Sequence, residues 1–226
     1  MKSVLKFFYT LFFYGLRGFF FKTIRPFSPD FGLKFGTPID RIYIDHFLEK
    51  SKVCIKGDVL EIAEDTYSKR YATSKINSFI LHVEKQDNSQ VITANLETGE
   101  NAPEGKFDCL LITQTLPFVY QPKEFIKNCY RALKPGGTLL LTASGISQIS
   151  RYDMDRWGDY WRFTDLSLKK LAEEVFDLEK IEVKSYGNVK TACAFLQGFP
   201  SYVLSEKELS THDPDYQVTV TLRAVK

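Results

Sequence analysis

Residues 107–144 read FDCLLITQTLPFVYQPKEFIKNCYRALKPGGTLLLTAS. The apolar run KFDCLLITQ at 106–114 predicts a buried strand, and TLLLTA at 138–143 predicts a second. Between them, Pro122 suits the first turn of a helix with one apolar stripe. The stripe consists of Phe125, Ile126, Cys129 and Leu133. Lys-Pro-Gly-Gly at 134–137 ends this helix, so the stretch predicts a strand, a crossover helix and a parallel strand.

Strands and helices alternate through the rest of the chain as well. Further strands are predicted at 57–63, 79–85, 89–96, 176–187 and 217–226. Helices are predicted at 165–176, capped by Thr164 or Asp165, and around Phe195 to Leu204. Helical crossovers imply a parallel sheet with helices on both faces, and ligands bind such sheets at the carboxyl ends of the strands. Those ends are predicted at Glu61, Glu84, Asn95 and Gln114.

A helix is also predicted in GTPIDRIYIDHFLEK at 36–50. Thr37 can cap it, Pro38 suits its first turn, and Asp40 can return a hydrogen bond to the cap, as in a capping box. One buried face is expected, formed by Ile39, Ile42, Tyr43 and Phe47.

Composition limits the range of functions. A chain of 226 residues with 44% hydrophobic content predicts one domain with an N-terminal appendage. A net charge of +2 is too balanced to indicate nucleic acid as the main partner. The four cysteines form no CxxC pair, which favours reduced core thiols in a cytosolic protein. The three histidines lie in separate segments, so no metal site is expected.

Residues 1–34 differ from the rest of the chain. They carry six basic residues against one acidic residue, a local net charge of +5, and eleven aromatic residues. Their longest uncharged run, 7–16, is about half of what spans a bilayer. A basic, aromatic helix lying in a membrane interface through residues 1–25 is therefore predicted. A helix packed on its own domain or on a second subunit is the main alternative, and a membrane span is the third option.

The order of these pieces resembles the class I, S-adenosylmethionine-dependent methyltransferases. Residues 107–144 are similar to the fourth strand, helix and fifth strand of that fold, and the two late strands resemble its closing antiparallel hairpin. The resemblance implies a Rossmann-like α/β sheet at 35–226, mostly parallel, behind a helical segment at 1–34. More narrowly, GTPIDRIYIDHFL, LEIAEDTY, ISQISRYDMDRWGDYWRFT and HDPDYQVTV resemble bacterial methyltransferase-domain proteins associated with glycosyltransferases and surface-polysaccharide synthesis.

The resemblance also implies a cofactor site with an altered loop. The family's first-strand acidic residue corresponds to Glu61, and its glycine positions fall on Ala63, Asp65 and Tyr67. Two outcomes are open. Asp65 and Thr66 turn side-chain oxygens toward S-adenosylmethionine in place of the backbone contacts that glycines permit, or Tyr67 fills the space and closes the site.

Three further positions match the family's cofactor contacts. Glu84 corresponds to the residue that accepts hydrogen bonds from both ribose hydroxyls, and Asn95 to the residue near the adenine amine. Gln114 lies where the sulfonium is expected. The alternative is that these are polar strand ends in solvent.

The segment SRYDMDRWGDYWRFT at 150–164 combines three arginines, three aspartates, two tryptophans and two tyrosines. Its arginines, Arg162 among them, can clamp an anionic acceptor, and its aromatic rings can stack on a sugar or nucleotide. Asp155 and Asp159 are the candidate bases for a sugar hydroxyl, with Tyr152 or Tyr160 as an orienting group. The alternative is a set of Arg-Asp pairs that only holds the loop in place.

The leading hypothesis is a methyltransferase that acts on a sugar, glycan or related small molecule in the cytoplasm, with attachment to the inner membrane face as an option. Self-association or a partner glycosyltransferase would fit it. The alternative is a non-catalytic protein of the same fold that serves as a scaffold in envelope-polysaccharide assembly. A nicotinamide-dependent enzyme is disfavoured because no GxGxxG follows the first strand.

Overall fold

A computed structural model describes residues 24–88 and 90–226. The strands are β1 Gly57–Ile62, β2 Ile76–His82, β3 Val91–Thr93, β4 Phe107–Thr113, β5 Leu133–Ser144, β6 Ile181–Tyr186 and β7 Thr219–Val225. The helices of this part of the chain are α1 Ile39–Ser51, α2 Thr66–Tyr71, α3 Pro122–Ala132, α4 Arg151–Met154, α5 Asp165–Glu173, α6 Val189–Leu196 and α7 Glu206–Ser210.

The strands form one sheet in the order β3-β2-β1-β4-β5-β7-β6. Strands β1 to β5 run parallel, and β7 lies antiparallel between β5 and β6. Successive side chains of a strand point to opposite faces, so Leu110 packs toward α3 and α5 while Leu111 packs toward α1. The predicted sheet, its closing antiparallel strand and the helices on both faces are confirmed.

A half-buried ion cluster joins three strands at the end of the sheet opposite the predicted ligand edge. The Lys134 ammonium group donates to Asp58 (2.8 Å) and to Asp108 (2.7 Å). Asp108 also accepts the backbone N–H of Asp58 at 2.8 Å. Because these residues lie on β5, β1 and β4, the cluster favours the observed register of the three strands.

The predicted capping box of α1 is wrong. Pro38 occupies the N-cap position and no side-chain hydrogen bond caps the helix. The segment before α1 pairs with another part of the backbone: Thr37 accepts the N–H of Ser201 at 2.8 Å, and Pro38 forms a bridge with Pro200. Since this pairing keeps the backbone extended up to Pro38, the helix begins one residue later than the predicted first turn. Asp40 is therefore free of the capping role.

The predicted position of Glu84 at the end of a strand is also wrong. Strand β2 pairs residue by residue with β1, from Gly57 beside Ile76 to Ile62 beside Leu81, and it ends at His82. Pairing with the neighbouring strand sets both ends of β2. The apolar run at 79–85 therefore marked the strand about three residues too late.

Two helix predictions have different outcomes. Thr164 caps α5 in a capping box with Ser167, which settles the choice between Thr164 and Asp165. The helix predicted around Phe195 to Leu204 is wrong, because α6 begins after its cap Asn188 and ends at Leu196. Gly198, with a φ of +70°, turns the chain after the helix.

The four cysteines are free thiols. Cys109 and Cys129 are buried, as predicted for core thiols. Cys54 is half-buried and Cys193 is exposed. Two of the four thiols therefore belong to the core.

The N-terminal arm, defined as residues 24–38, packs against the end of α6. Ser28 donates its backbone N–H to Gln197 at 3.1 Å, and the ring of Phe27 stacks on that of Phe199 at 4.8 Å. The interfacial helix predicted within residues 1–25 lies almost wholly outside the described residues. Within the described ranges, each helix falls short of the length and apolar character needed to cross a membrane.

Replacing Gly198 by alanine should loosen the N-terminal arm. A Cβ atom at this position would lie 2.0 Å from the carbonyl oxygen of Ser28, and φ is +70°. Gly136 is the matched control, because its φ is +79° and a Cβ there would meet nothing within 4 Å. We expect Gly136→Ala to cost about 1–2 kcal/mol from backbone strain alone. Gly198→Ala should cost roughly 1–3 kcal/mol more, because the arm must move.

The free energies of unfolding can be measured by denaturant titration, and limited proteolysis can monitor the arm. Equal losses in the two variants, with unchanged cleavage of the arm, would show that the close contact between Gly198 and Ser28 contributes nothing.

Candidate active site

A cavity of about 660 Å³ opens at the carboxyl ends of β1, β2 and β4. This volume lies within the range of roughly 300–1,000 Å³ that is typical of small-molecule sites. Its walls come from the N-terminal arm, the first turn of α1, the loop after β1, the ends of β2 and β4, and the segment after β5. The sequence-based expectation of a ligand site at this edge of the sheet therefore coincides with the cavity.

Glu61, near the end of β1, is a buried carboxylate at the floor of the cavity. Its two oxygens accept the backbone N–H groups of Tyr67 (3.2 Å) and Ser68 (2.8 Å). Burial raises the pKa of Glu61, and these hydrogen bonds oppose the rise. The carboxylate thus supplies acceptors to N–H groups in the first turn of α2, which have no partners within the helix.

Ala63 keeps a glycine-like backbone at the first of the three altered glycine positions. Its φ is +69°, and its N–H donates to the carbonyl oxygen of Leu81 at 3.1 Å. An L-residue in this left-handed region costs about 1–2 kcal/mol. The loop therefore retains its bend without a glycine, and Ala63 itself lines the cavity.

Asp65 and Thr66, which were predicted to contact the cofactor, form hydrogen bonds and an ion pair with other side chains of the protein. Asp65 accepts a hydrogen bond from Ser78 (3.2 Å) and pairs with Lys69 (2.7 Å), while the Thr66 hydroxyl donates to Glu64 (3.0 Å). Neither Asp65 nor Thr66 is among the cavity-lining residues. Their cofactor contacts stay predictions.

Tyr67 is buried in the cavity wall, and its hydroxyl accepts a hydrogen bond from Arg41 at 3.1 Å. The cavity remains beside this ring. Tyr67 therefore narrows the site without filling it.

Three polar atoms in the cavity wall are buried without a hydrogen-bond partner among residues 24–88 and 90–226. They are Asp40 Oδ1, His82 Nδ1 and Gln114 Nε2. A buried polar group without a partner costs about 1–3 kcal/mol, so such groups are rare in folded proteins. Three of them around one cavity indicate a polar ligand or ordered water.

Gln114 combines a missing partner with backbone strain. Its φ is +51°, and its side-chain oxygen accepts the hydroxyl of Ser144 at 2.7 Å. With the oxygen bound to this hydroxyl, the NH₂ group is the part left without a partner. Strained conformations persist at functional sites when the surrounding structure enforces them. Gln114 thus shows both features in the cavity wall, and its contact with a cofactor stays a prediction.

Asp40 was predicted to help cap α1, but its carboxyl lies in the cavity wall instead. Burial raises the pKa of its carboxyl, and the positive charge of Arg41 partly opposes that rise. Arg41 follows it in α1 and also lines the cavity. The capping pattern concealed this position, because an acidic residue in a first helical turn normally has a capping or dipole role.

Of the two residues predicted to contact the ribose and the adenine, only Asn95 lines the cavity. Asn95 lines the cavity, but its amide oxygen accepts the backbone N–H groups of Glu97 (2.8 Å) and Thr98 (3.2 Å). Its NH₂ group, and not the oxygen named in the prediction, is what it can offer to a ligand. Glu84 is exposed and outside the cavity lining, so its contact with ribose stays a prediction. His82, which sequence analysis missed, ends β2 in the cavity wall.

Asp159 and Arg162 form a charged pair in the cavity wall. Both oxygens of Asp159 accept from the Arg162 guanidinium group, one of them at 3.0 Å, and one also accepts the N–H of Ser150 at 3.0 Å. Arg162 donates further to the carbonyl oxygen of Gln148 at 2.7 Å. The pair therefore holds the segment after β5 together, as the structural alternative predicted, and it also faces the cavity.

The other two catalytic candidates lie outside the cavity lining. Asp155 is exposed and pairs with Arg151 at 3.1 Å. The Tyr160 hydroxyl donates to the carbonyl oxygen of Trp157 at 3.2 Å. Trp157 does line the cavity, as does Asp153, which accepts from the hydroxyl of Ser150 and was not a candidate base. In the described ranges, no three His, Cys, Asp or Glu residues are grouped to hold a metal ion.

Residues 53–141 match a family model described as a methyltransferase domain. The match begins before β1 and extends into β5, and it leaves α1 and the segment at 150–164 outside. None of the curated proteins compared matches the chain.

Solved structures share the fold at low sequence identity. The [4+2]-cyclase SpnF is 15% identical with a TM-score of 0.54, over 90% of this chain and 87% of that one. Phosphoethanolamine N-methyltransferase 2 of Haemonchus contortus, in complex with S-adenosyl-L-methionine, is 16% identical with a TM-score of 0.48, over 76% of this chain. A SAM-dependent methyltransferase of Archaeoglobus fulgidus is 13% identical with a TM-score of 0.49, over 82% of this chain and 90% of that one.

The chain covers 49% of the Haemonchus protein, about half of its length. The strand order and directions are those of the class I methyltransferase fold. Together with the domain match, they make S-adenosylmethionine the cofactor to compare with this cavity.

The polar atoms of the cavity fit that cofactor. S-adenosylmethionine carries an ammonium group, a carboxylate, ribose hydroxyls and a purine, which can donate and accept hydrogen bonds. The Asp40 oxygen can accept, the Gln114 amide can donate, and the His82 ring nitrogen can do either according to its tautomer. Each atom without a partner thus has a matching group on the cofactor.

Restoring glycine at position 63 should stabilise the protein. Ala63→Gly removes the left-handed strain of about 1–2 kcal/mol and adds an entropy cost of roughly 0.5–1 kcal/mol, for a net gain of about 0.5–1 kcal/mol. Ala194→Gly, within α6, should instead lose about 1 kcal/mol. Denaturant titration measures both changes. A loss of stability in Ala63→Gly would contradict the strained conformation.

Removing the Asp40 charge should stabilise the protein in a pH-dependent way. Burial raises the folded-state pKa above the ordinary 3.8, so the carboxyl stabilises the fold below pH 3.8 and that contribution is lost as the pH rises through the raised value. Relative to the native protein, Asp40→Asn should therefore gain nothing below pH 3.8 and most near neutral pH, by about 2–4 °C in Tm.

Asp45→Asn is the control on the same helix, since Asp45 already accepts a hydrogen bond from Tyr71 at 2.8 Å. It should show no gain at neutral pH. Thermal unfolding between pH 3.5 and 8 compares the variants. A lower Tm for Asp40→Asn at neutral pH would mean that the carboxylate has a partner that stabilises it.

Proposed function

We propose that this protein transfers the methyl group of S-adenosylmethionine to a hydroxyl of a sugar, glycan or related small molecule in surface-polysaccharide synthesis. The observation that carries the proposal is the cavity at the carboxyl ends of β1, β2 and β4, with three buried polar atoms that lack partners. The family match to a methyltransferase domain includes all three of these strands.

The cofactor would lie along the ends of β1, β2 and β4. Candidate contacts there are the bend at Ala63, the His82 ring, the Asn95 amide group and the Gln114 amide group. Glu84 remains a candidate for the ribose hydroxyls from beyond the end of β2. When bound, the cofactor supplies an electrophilic methyl group, and the residues of this chain supply its orientation.

The acceptor would lie beside the segment after β5. Trp157 offers an aromatic face in the cavity wall, on which a sugar ring can pack. Asp159 is favoured over Asp155 as the base, because Asp159 lines the cavity and Asp155 does not. Arg162 keeps the Asp159 carboxylate oriented through two hydrogen bonds. The carboxylate would take the proton of the hydroxyl as the new carbon–oxygen bond forms and the bond from the methyl carbon to the cofactor sulfur breaks, which would leave S-adenosylhomocysteine.

The acceptor's position near a membrane is supported by the N-terminal arm. Leu33 lines the cavity and is 60% exposed, and Phe27 and Phe35 are also exposed. The arm continues from the basic, aromatic sequence of residues 1–23. An acceptor carried on a lipid would reach the cavity from this side. A partner glycosyltransferase would fit the same arrangement.

A non-catalytic scaffold is the alternative, and the replacement of all three loop glycines favours it. The two functions differ in ligand binding. Calorimetric titration of the full chain with S-adenosylmethionine and S-adenosylhomocysteine should show binding if the proposal holds. Absence of binding by folded protein at millimolar ligand would favour the scaffold.

Substitution of Asp159 should test the acceptor side. With labelled S-adenosylmethionine and a panel of monosaccharides and nucleotide sugars, Asp159→Asn should lower methyl transfer by about 100-fold or more, the usual contribution of a general base. Asp155→Asn should lower it far less. Affinity for S-adenosylhomocysteine and the Tm of both variants report whether the fold and cofactor site survive. A larger loss in Asp155→Asn would reverse the assignment.

A further inference from the structure

The first turn of α1 brings an acidic and a basic side chain, Asp40 and Arg41, to the wall of the same cavity. Neighbouring residues in a helix project in different directions, so the two groups do not face each other. Within the described residues, no ion pair within 4.0 Å involves either side chain. The cavity wall therefore carries two opposite charges that do not form an ion pair with each other.

The Asp40 carboxylate lacks a use within the described structure. It does not cap α1, and its Oδ1 atom is buried without a hydrogen-bond partner. Burying an ionised carboxylate without a partner is costly unless a cation or a strong donor approaches it. The chemistry that would satisfy this oxygen is an ammonium group or another charged N–H donor.

The Arg41 guanidinium group is available for an anion. It has five N–H donors, and Tyr67 receives one of them at 3.1 Å. Burial lowers the pKa of Arg41, while Asp40, Tyr67 and Glu64 raise it to a net increase, so the group stays charged. A planar guanidinium group is suited to binding a carboxylate through two hydrogen bonds.

An ammonium group and a carboxylate on one ligand are the mark of an α-amino acid. We propose that Asp40 and Arg41 bind the α-ammonium and α-carboxylate groups at the amino-acid end of S-adenosylmethionine. This subsite rests on the proposed function, because it takes the amino acid to be part of that cofactor.

The loop after β1 explains why α1 would supply these charges. Glu61 is committed to the N–H groups of Tyr67 and Ser68, and Asp65 is paired with Lys69. Glu64 lines the cavity, but it is exposed and accepts the hydroxyl of Thr66. Asp40 therefore has the buried acidic oxygen that is best placed for an ammonium group, and Arg41 lies beside it.

The experiment compares two ligands that differ in the amino-acid end. S-adenosylhomocysteine carries the amino acid, and 5′-methylthioadenosine lacks it while keeping the adenosine and the sulfur. Calorimetric titration of the full chain should show that S-adenosylhomocysteine binds at least about tenfold more tightly, as expected for hydrogen bonds to charged groups. Asp40→Asn and Arg41→Met should each lose about tenfold or more for S-adenosylhomocysteine and nothing for 5′-methylthioadenosine.

Matched controls come from the next turn of α1 and from α2, the neighbouring helix. Asp45→Asn and Arg70→Met change a carboxylate and a guanidinium group that contact each other at 3.4 Å outside the cavity lining. Both should leave the two affinities unchanged. Arg41→Lys keeps the charge and should fall between the native protein and Arg41→Met, and thermal unfolding confirms that each variant is folded.

Several results would overturn the subsite. Equal losses for both ligands would mean that Asp40 and Arg41 only shape the cavity, and unchanged affinities would mean that they do not bind the cofactor. Equal affinity of the native protein for the two ligands would remove the subsite and leave the proposed function standing. Failure of the native protein to bind either ligand would overturn both.

Discussion

The buried carboxylate of Glu61 determines the geometry on which the rest of the site depends. By accepting the backbone N–H groups of Tyr67 and Ser68, it joins the end of β1 to the first turn of α2. That connection holds the intervening loop in a bend, and Ala63 adopts a left-handed conformation to complete it. A loop without glycine thus keeps the shape that the cavity requires. The carboxylate that maintains this shape is no longer free to bind a charged ligand.

The polar atoms of the cavity that lack hydrogen-bond partners lower the stability of the folded protein. Asp40, His82 and Gln114 each bury an atom without a partner, and Gln114 adds backbone strain. Groups of this kind reduce stability, and they are usually kept where binding or catalysis needs them. Here they lie around one cavity, at the edge of the sheet where open α/β folds bind their ligands. The destabilising polar groups and the position of the cavity in the fold therefore indicate the same site.

The fold by itself does not specify the reaction. One structure that shares most of this chain's architecture is named a [4+2]-cyclase, although the sheet is that of class I methyltransferases. The proposal of a SAM-dependent methyltransferase gains its chemical content from the domain match and from the side chains in the cavity. The acceptor is argued from the segment at 150–164, where only some of the charged and aromatic side chains reach the cavity. Asp159, Arg162 and Trp157 do so, whereas Asp155 and Tyr160 do not.

Sequence by itself determined the sheet, the crossover helices and the edge at which the cavity opens, because apolar periodicity and turns such as Lys-Pro-Gly-Gly are local signals. It also placed Glu61 and Gln114 at this edge, because both follow directly from the ends of apolar runs, and both line the cavity. Only the tertiary structure decided the ends of β2 and the role of Asp40. The end of β2 depends on pairing with β1, and Asp40 lost its capping role when residues 37–38 paired with residues 200–201. Both outcomes depend on contacts between segments far apart in the chain, which no local pattern contains.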